Sequence, residues 1–431
     1  MIIPQLGVEA VMKSIKQAEF MQSTELDGKK QVALDHYYHD PIQVSEHIRR
    51  LFKKEVHKQV PEYPQKIVPR FARARMMLYK KPPERILKKE KYFDYCYQLD
   101  SKMREFAEVA WLLKDCLLYS FYNKRKKRLE YKIIPIFQEY YLKDDQNNVW
   151  GYSYEINKDE KGNRRFAFWS ETRDGEAGLH FVFKSDGKIE DDPSNPQRLN
   201  PYKILPFTKA SNTHGAFDVV DTAIQLGIGM TQIALGARFN LGTLWTNGKF
   251  SQKNPIKWGL DSAIQIPQDS TLGTIGIAGS LLDNIEAVKA FANMTAENNH
   301  LRIRWGESGG NPPSGESLRI LEIENLDARE SDIPLWVEIE KERFKVDSTI
   351  LDIEGKGKFE GDYQVNFKEI QFPQTEKEIQ EIWDWRFQNG YDLEDYFREV
   401  NPDMPEEEIK RRIEKVNGKK GTDILNALQS E

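Results

Sequence analysis

Cysteine is scarce in this chain of 431 residues: Cys96 and Cys116 are the only two, and their spacing fits neither a zinc site nor a disulfide framework. A reducing compartment follows. Long hydrophobic runs are missing too, since the charge-free run 222–237 falls short of the roughly 20 residues a bilayer needs and contains Gln225 and Gln232. The N-terminus has neither the basic start nor the apolar core of a signal peptide. These features lead us to expect a soluble protein made in a cytoplasm, without contact to a membrane. A basic excess is also lacking. The formal net charge of -5 excludes the global positive footprint of a protein that clamps DNA nonspecifically. The motifs of enzymes are absent as well. No spaced set of carboxylates on adjoining strands suggests a nuclease, and no Ser-His-Asp or Cys-His order can be assigned. The glycine-rich stretch at 304–315 lacks the Gly-Lys-Ser or Gly-Lys-Thr ending of a nucleotide-binding loop. We expect no catalysis, no cofactor and no metal.

What is present is ample charge, 30% of residues, on a chain long enough for two or more cores, and the order of its elements implies an α+β fold. Helical spacing of Val44, Ile48, Leu51 and Phe52 follows Asp40-Pro41. His36 and His39 resemble half of a metal site, but the further ligands that zinc requires do not accompany them, so solvated or core histidines are the reading. A helix over 64–79 should stop at Lys80-Lys81-Pro82-Pro83, because the residue before a proline avoids helical geometry. A longer helical region is expected over 84–122. The basic run 124–128 reads as a solvated turn complementing the negative end of that region, with phosphate contact as its alternative.

From Leu129 the period changes. The β-branched and aromatic runs 131–142, 149–156, 164–171 and 179–184, separated by polar turns, predict an antiparallel meander. Next comes a helix over 216–240, whose Gly227, Gly229 and Gly236 cost roughly 1 kcal/mol each against alanine and so imply close packing against another backbone. An irregular insertion, 241–279, separates it from a second helix over 280–303. Leu281, Leu282, Ile285, Val288, Phe291 and Met294 form the apolar stripe of that helix. The loop that follows carries four glycines and two prolines, and a long helical run, 315–351, is broken once at Pro334. A strand is expected over 363–372 and helices over 375–389, 392–400 and 405–416.

Taken together, this order resembles the portal proteins of tailed bacteriophages. The resemblance rests on Ile67-Val-Pro-Arg-Phe-Ala-Arg-Ala-Arg-Met-Met-Leu-Tyr-Lys-Lys-Pro-Pro83, similar to an early helix ending in a Lys-Pro-Pro turn, and on Lys203-Ile-Leu-Pro-Phe-Thr208, similar to the strand before the stem. Ser314-Gly-Glu-Ser-Leu-Arg-Ile320 is similar to the element opening the long helix, and Tyr396-Phe-Arg-Glu-Val-Asn-Pro-Asp-Met-Pro-Glu-Glu-Glu408 to a late helix pair. The resemblance implies a wing at 1–215, a two-helix stem at 216–240 and 280–303, and a small α/β clip at 241–279. It further implies a tunnel loop at 304–314, a long kinked helix at 315–351, a return to the wing at 352–404, and a short helical crown with a tail at 405–431. DNA-facing residues would be Arg302, Arg304, Trp305, Glu307, Ser308, Asn311 and Ser314. Clip residues meeting partners would be Trp245, Lys249, Phe250, Lys253, Lys257 and Trp258.

Such a protein would form a homo-oligomeric ring, of twelve subunits in this family, at one capsid vertex of the virion after assembly in the host cytoplasm. The implied partners are the terminase large subunit, the major capsid and scaffolding proteins, the neck proteins, and the double-stranded DNA that passes through. A mildly acidic chain suits a conduit, because each neutralised phosphate adds affinity through counterion release. A monomeric adaptor or scaffold is one alternative. A metal-dependent nuclease is another.

Overall fold

The computed structural model describes residues 24–52, 63–141, 148–158, 162–172, 177–212, 214–239, 243–246, 271–275, 281–303, 322–370, 376–400 and 404–417. They divide into two units, Met1–Ile303 with Glu324–Lys368, and Arg304–Ile323 with Glu369–Glu431. The fold is α+β with antiparallel sheets.

In the first unit, helices α1 (Thr24–Tyr38) and α2 (Pro41–Arg49) meet at a corner. Asp40 caps α2, its carboxylate accepting from the backbone N–H of Ile42 at 3.0 Å and of Gln43 at 3.2 Å, while Pro41 supplies a first-turn residue with no N–H to satisfy. Helix α3 (Ile67–Arg75) passes into a 3-10 turn at Met77–Tyr79 and stops before the proline pair. Strand β1 (Glu84–Ile86) and a 3-10 turn (Glu90–Tyr95) precede α4 (Leu99–Leu113). Helix α4 is buried nearly all round, with Met103, Phe106, Ala107, Val109, Ala110, Leu112 and Leu113 inside, which makes it the central helix of the core.

The long helix expected over 84–122 is therefore corrected. Lys114 takes φ +78, ends α4, and turns the chain directly into strand β2 (Asp115–Asn123). A helix whose last five residues are apolar, running into a strand without glycine or proline, leaves no punctuation in the sequence. Strand β3 (Arg128–Ile134) pairs back on β2, from Leu117↔Ile134 to Asn123↔Arg128, so the basic run is a hairpin turn rather than a helix end. Three of its charged residues have carboxylate partners, Arg128 donating to Glu130 at 3.2 Å. Lys126 donates to Glu130 at 2.8 Å and Lys124 lies 3.4 Å from Glu354. Hydrogen bonds from Lys126 and Asn123 hold the Glu130 carboxyl down at about 2.

The stretch 131–142 splits. Strand β3 ends before Pro135, which cannot continue a ladder, and β4 (Gln138–Tyr141) joins a second sheet. That sheet is the expected meander, in the order β4, β5 (Val149–Lys158), β6 (Arg164–Ser170), β7 (His180–Lys184). Strand β8 (Phe207–Ser211) returns to β2 and completes a three-stranded sheet. Neither cysteine is in an α-helix: Cys96 follows a 3-10 turn and Cys116 is buried on β2, and both are free thiols. Burial pushes the Cys96 thiol up to about 11.

After the arm treated below, helix α7 (Ile323–Ile353) crosses the core. It runs through Pro334 without interruption, so the expected break there is corrected. Residues 315–321 lie outside the described residues. Trp336 is fully buried against the edges of Tyr79 and Phe106, at 5.6 Å and 5.8 Å between ring centroids. The strand expected over 363–372 is only β11 (Gln364–Asn366), paired with β1.

One turn beyond Trp336 an ion network is sealed inside. Arg343, 0% exposed, donates to Glu340, to Asp347, to the Tyr92 hydroxyl at 2.7 Å and to the Tyr363 hydroxyl at 2.6 Å. Arg85 donates to both Glu340 oxygens, at 2.7 Å and 3.1 Å, and the Tyr79 hydroxyl adds a third bond. Tyr92 and Tyr131 each donate to Asp347 Oδ2 at 2.9 Å. Burial opposes the charge on Glu340, but Arg343 and Arg85 outweigh it and hold its carboxyl below the ordinary value.

The second unit holds α8 (Glu376–Gln388), α9 (Leu393–Val400) and α10 (Glu406–Asn417), within about a residue of expectation. Asp392 and Asp395 cap α9 reciprocally, each accepting from the other's backbone N–H.

Replacing Arg343 by Leu strands Asp347 and weakens Glu340 inside the core. We expect a loss of roughly 3–5 kcal/mol in unfolding free energy, measured by denaturant titration. A loss under about 1 kcal/mol would show that the network is incidental to stability.

Candidate functional site

The two helices expected at the centre of the chain form an antiparallel arm. Helix α5 (Phe217–Phe239), 23 residues, extends for about 34 Å, and α6 (Leu281–Asn298), 18 residues, returns along it. Three contacts fix the pairing. Asn299 donates to Asp218 at 2.8 Å, the Thr222 and Thr295 hydroxyls are 2.7 Å apart, and a Cβ placed on Gly229 would lie 2.7 Å from Val288 Cγ2. Each step forward on α5 is matched by an equal step back on α6, as an antiparallel pair requires.

Small residues make this possible. Ala223, Ala292, Thr295 and Ala296 are buried in the arm, and Gly227 and Gly229 of α5 face side chains first, Gly227 with the Tyr63 carbonyl next, rather than the backbone of α6. A Cβ on Gly227 would lie 2.6 Å from Ile48 Cδ1, so α2 seats itself against the arm at that point. At the base, Ala216 N–H donates to the Leu112 carbonyl at 3.0 Å and Asn212 N–H to that of Lys114 at 2.7 Å, tying the arm to the end of α4.

The outward surface of α6 is the feature that the sequence reading missed. Ala287, Ala290, Phe291 and Met294 are all exposed and, three or four residues apart, fall on one stripe. Met294 is 63% and Phe291 44% exposed. The sequence placed Phe291 and Met294 with Val288 on one packed stripe. In the structure the inward face is carried by Val288, Ala292, Thr295 and Ala296, which are too small to dominate an apolar pattern. Asp218, Asp221, Glu286 and Glu297 are exposed along the arm. Asp218 holds Asn299, and Glu286 accepts from Lys289 at 3.0 Å.

Between the helices, strands β9 (Thr243–Thr246) and β10 (Leu272–Ile275) pair antiparallel, with Trp245 opposite Gly273. Among the anticipated partner-binding residues, Trp245 is thus on a strand pair, while Lys249, Phe250, Lys253, Lys257 and Trp258 lie outside the described residues. The second helix ends at Asn298 rather than at 303, because the chain folds back on the helix end, Leu301 N–H reaching the Ala296 carbonyl at 2.8 Å with His300 at φ +57. Arg302 is exposed, 3.9 Å from Glu324. Arg304, Trp305, Glu307, Ser308, Asn311 and Ser314 lie outside the described residues.

Among the described residues no group of three or more His, Cys, Asp or Glu side chains is placed to hold a metal ion, and no helix is long and apolar enough to cross a membrane. No protein-family model matches the chain, and neither does any curated protein.

The packing of α5 on α2 is open to a direct test. Gly227→Val should cost about 1–3 kcal/mol in stability by overpacking against Ile48. Combining it with Ile48→Ala should cost less than the sum of the two single changes, a coupling that a double-mutant cycle by thermal or denaturant unfolding reads directly.

Proposed function

We propose that this chain is the subunit of a portal ring, the channel for double-stranded DNA at one capsid vertex. The observation that carries this reading is the arm: an antiparallel helix pair rising from an α+β body, with a strand pair between its helices and an uncovered apolar stripe along its outer side. Two large apolar side chains one turn apart on the surface of a subunit are the kind of contiguous patch that a neighbour covers. In a ring closed by rotation every subunit presents two different faces, so the partner of this stripe is another surface of the same chain. Exposed carboxylates along the arm suit a channel wall past which DNA slides without being held.

On this reading α5 and α6 are the stem, and 241–279 is the clip that receives the terminase motor and later the neck proteins. The loop around Arg304 faces DNA. The body meets capsid and scaffolding proteins, which is how such a ring nucleates head assembly. The chain itself performs no chemistry, and ATP hydrolysis belongs to the motor that docks on it.

Native mass spectrometry and negative-stain imaging of the purified protein test this directly. Closed rings of about a dozen subunits with an axial hole are expected. Phe291→Glu combined with Met294→Glu should leave the circular dichroism unchanged and shift the mass to that of single chains. Rings that survive both changes would remove the stripe from the subunit contact. A wild-type protein that stays monomeric at high concentration, in any salt, would turn the reading to an adaptor.

A further inference from the structure

Away from the arm stripe, the corner between α1 and α2 holds a histidine pair that the portal reading does not use. His36 of α1 is 1% exposed, and among the described residues neither of its ring nitrogens has a hydrogen-bond partner. Its ring stacks on that of His47 from α2, with centroids 5.7 Å apart and planes 20° apart. His47 Nε2 lies 3.0 Å from Asp35 Oδ2. His39 stands in the corner itself, with φ +53. One residue beyond His47, Ile48 is fully buried and seats on Gly227 of α5. The corner is thus one of the places where the body grips the arm.

Among the described residues the charges acting on the pair are few. Those acting on His36 are His47, Asp35 and His39, and Lys66 at the start of α3 acts on His39. From α4, Glu105 and Glu108 accept from the hydroxyls of Tyr38 and Tyr37. From α5, Asp218 and Asp221 are exposed to solvent. Asp35 is therefore the carboxylate available to the stack, and it is taken by His47.

A neutral imidazole carries one N–H and one acceptor nitrogen, and leaving both unpaired in the interior already costs free energy. A proton added to His36 would place a buried charge on a stack whose neighbouring carboxylate, Asp35, is already engaged by His47. We propose that the α1–α2 corner is an acid-sensitive latch: protonation of His36 beside His47 separates the two helices and lifts Ile48 off Gly227 of α5.

Burial, reinforced by His47 and opposed by Asp35, pushes the His36 imidazole down to about 4. In an opened corner it would titrate near the ordinary value of about 6.5. Between those values the open form binds more protons, so the closed form loses stability as pH falls and has its full stability above the ordinary value. The latch is shut at neutral pH and gives way toward pH 4.

Hydrogen–deuterium exchange on the full chain, corrected for the intrinsic pH dependence of exchange, tests this. Amides of α2 and of 224–231 should exchange about tenfold faster or more near pH 4 than at neutral pH. His36→Phe, which keeps a planar ring but accepts no proton, should abolish that rise. An equal rise in the wild type and in His36→Phe overturns the latch. Should His36→Phe fail to fold, the ring carbon resonances of His36 in the wild-type chain decide. A midpoint near 4 that coincides with the loss of protection supports the latch. Titration near the ordinary histidine value, with the corner still protected, overturns it.

Discussion

One guanidinium gathers elements from across the first unit. Arg343 lies on α7, yet its partners and their neighbours come from two 3-10 turns (Tyr79 in one, Tyr92 in the other), a short edge strand (Arg85), the β2–β3 hairpin (Tyr131) and the chain beside β11 (Tyr363). Inside the core two arginines meet two carboxylates, Asp100 adds a third carboxylate to Arg85 from the exposed side, and tyrosine hydroxyls bond to the ion pairs. An apolar cluster of the same volume would be at least as stable in principle, since desolvating ions costs several kcal/mol apiece. What the ions add is direction. A network of this kind is satisfied in one arrangement only, so segments separated by some 250 positions in sequence meet in a single register.

The arm follows a different rule. Its helices approach through glycine, alanine and threonine, and the inner face has little apolar bulk to bury. Small side chains therefore make the inner contact, and the larger apolar groups, Phe291 and Met294, are left for the outside. A helix pair built this way holds its register by steric fit and by the Thr222–Thr295 hydrogen bond. Its remaining hydrophobic energy is available to whatever covers the outer stripe.

This division explains what the sequence made legible. The N-cap at Asp40, the stop at Pro82-Pro83, the meander, the two arm helices and the three late helices all carry local signals, and each stands within a few residues of expectation. Errors arose where the local signal was absent or misleading. Lys114 turns a buried helix into a strand with no breaker, and Pro334 sits inside a helix that continues on both sides of it. Nothing local announces the Arg343 network either, because its members are ordinary charged and aromatic residues far apart in the chain. At the candidate site the arm was legible in outline and its outer face was not. Apolar periodicity identifies the bulky stripe of a helix, and here the bulky stripe is not the one packed against its partner within the chain.

The arm is held by two fastenings of unlike chemistry, one at its base and one partway along α5. On one side, backbone N–H groups of Asn212 and Ala216 donate to the last carbonyls of α4, bonds without a titrating group. On the other, Gly227 rests on Ile48 of a helix whose place depends on a pair of imidazoles. The α4 fastening leads straight into the core, since Phe106 of α4 packs on Trp336 of α7 two turns before Arg343. A force along the arm is therefore carried by α4 into the ionic core, where a single arrangement is allowed. The α2 fastening is the yielding one, because it ends in a two-helix corner with no ionic tie to α7 among the bonds described above. Any bending of the arm relative to the first unit's core should pivot on the α4 side and open on the α2 side.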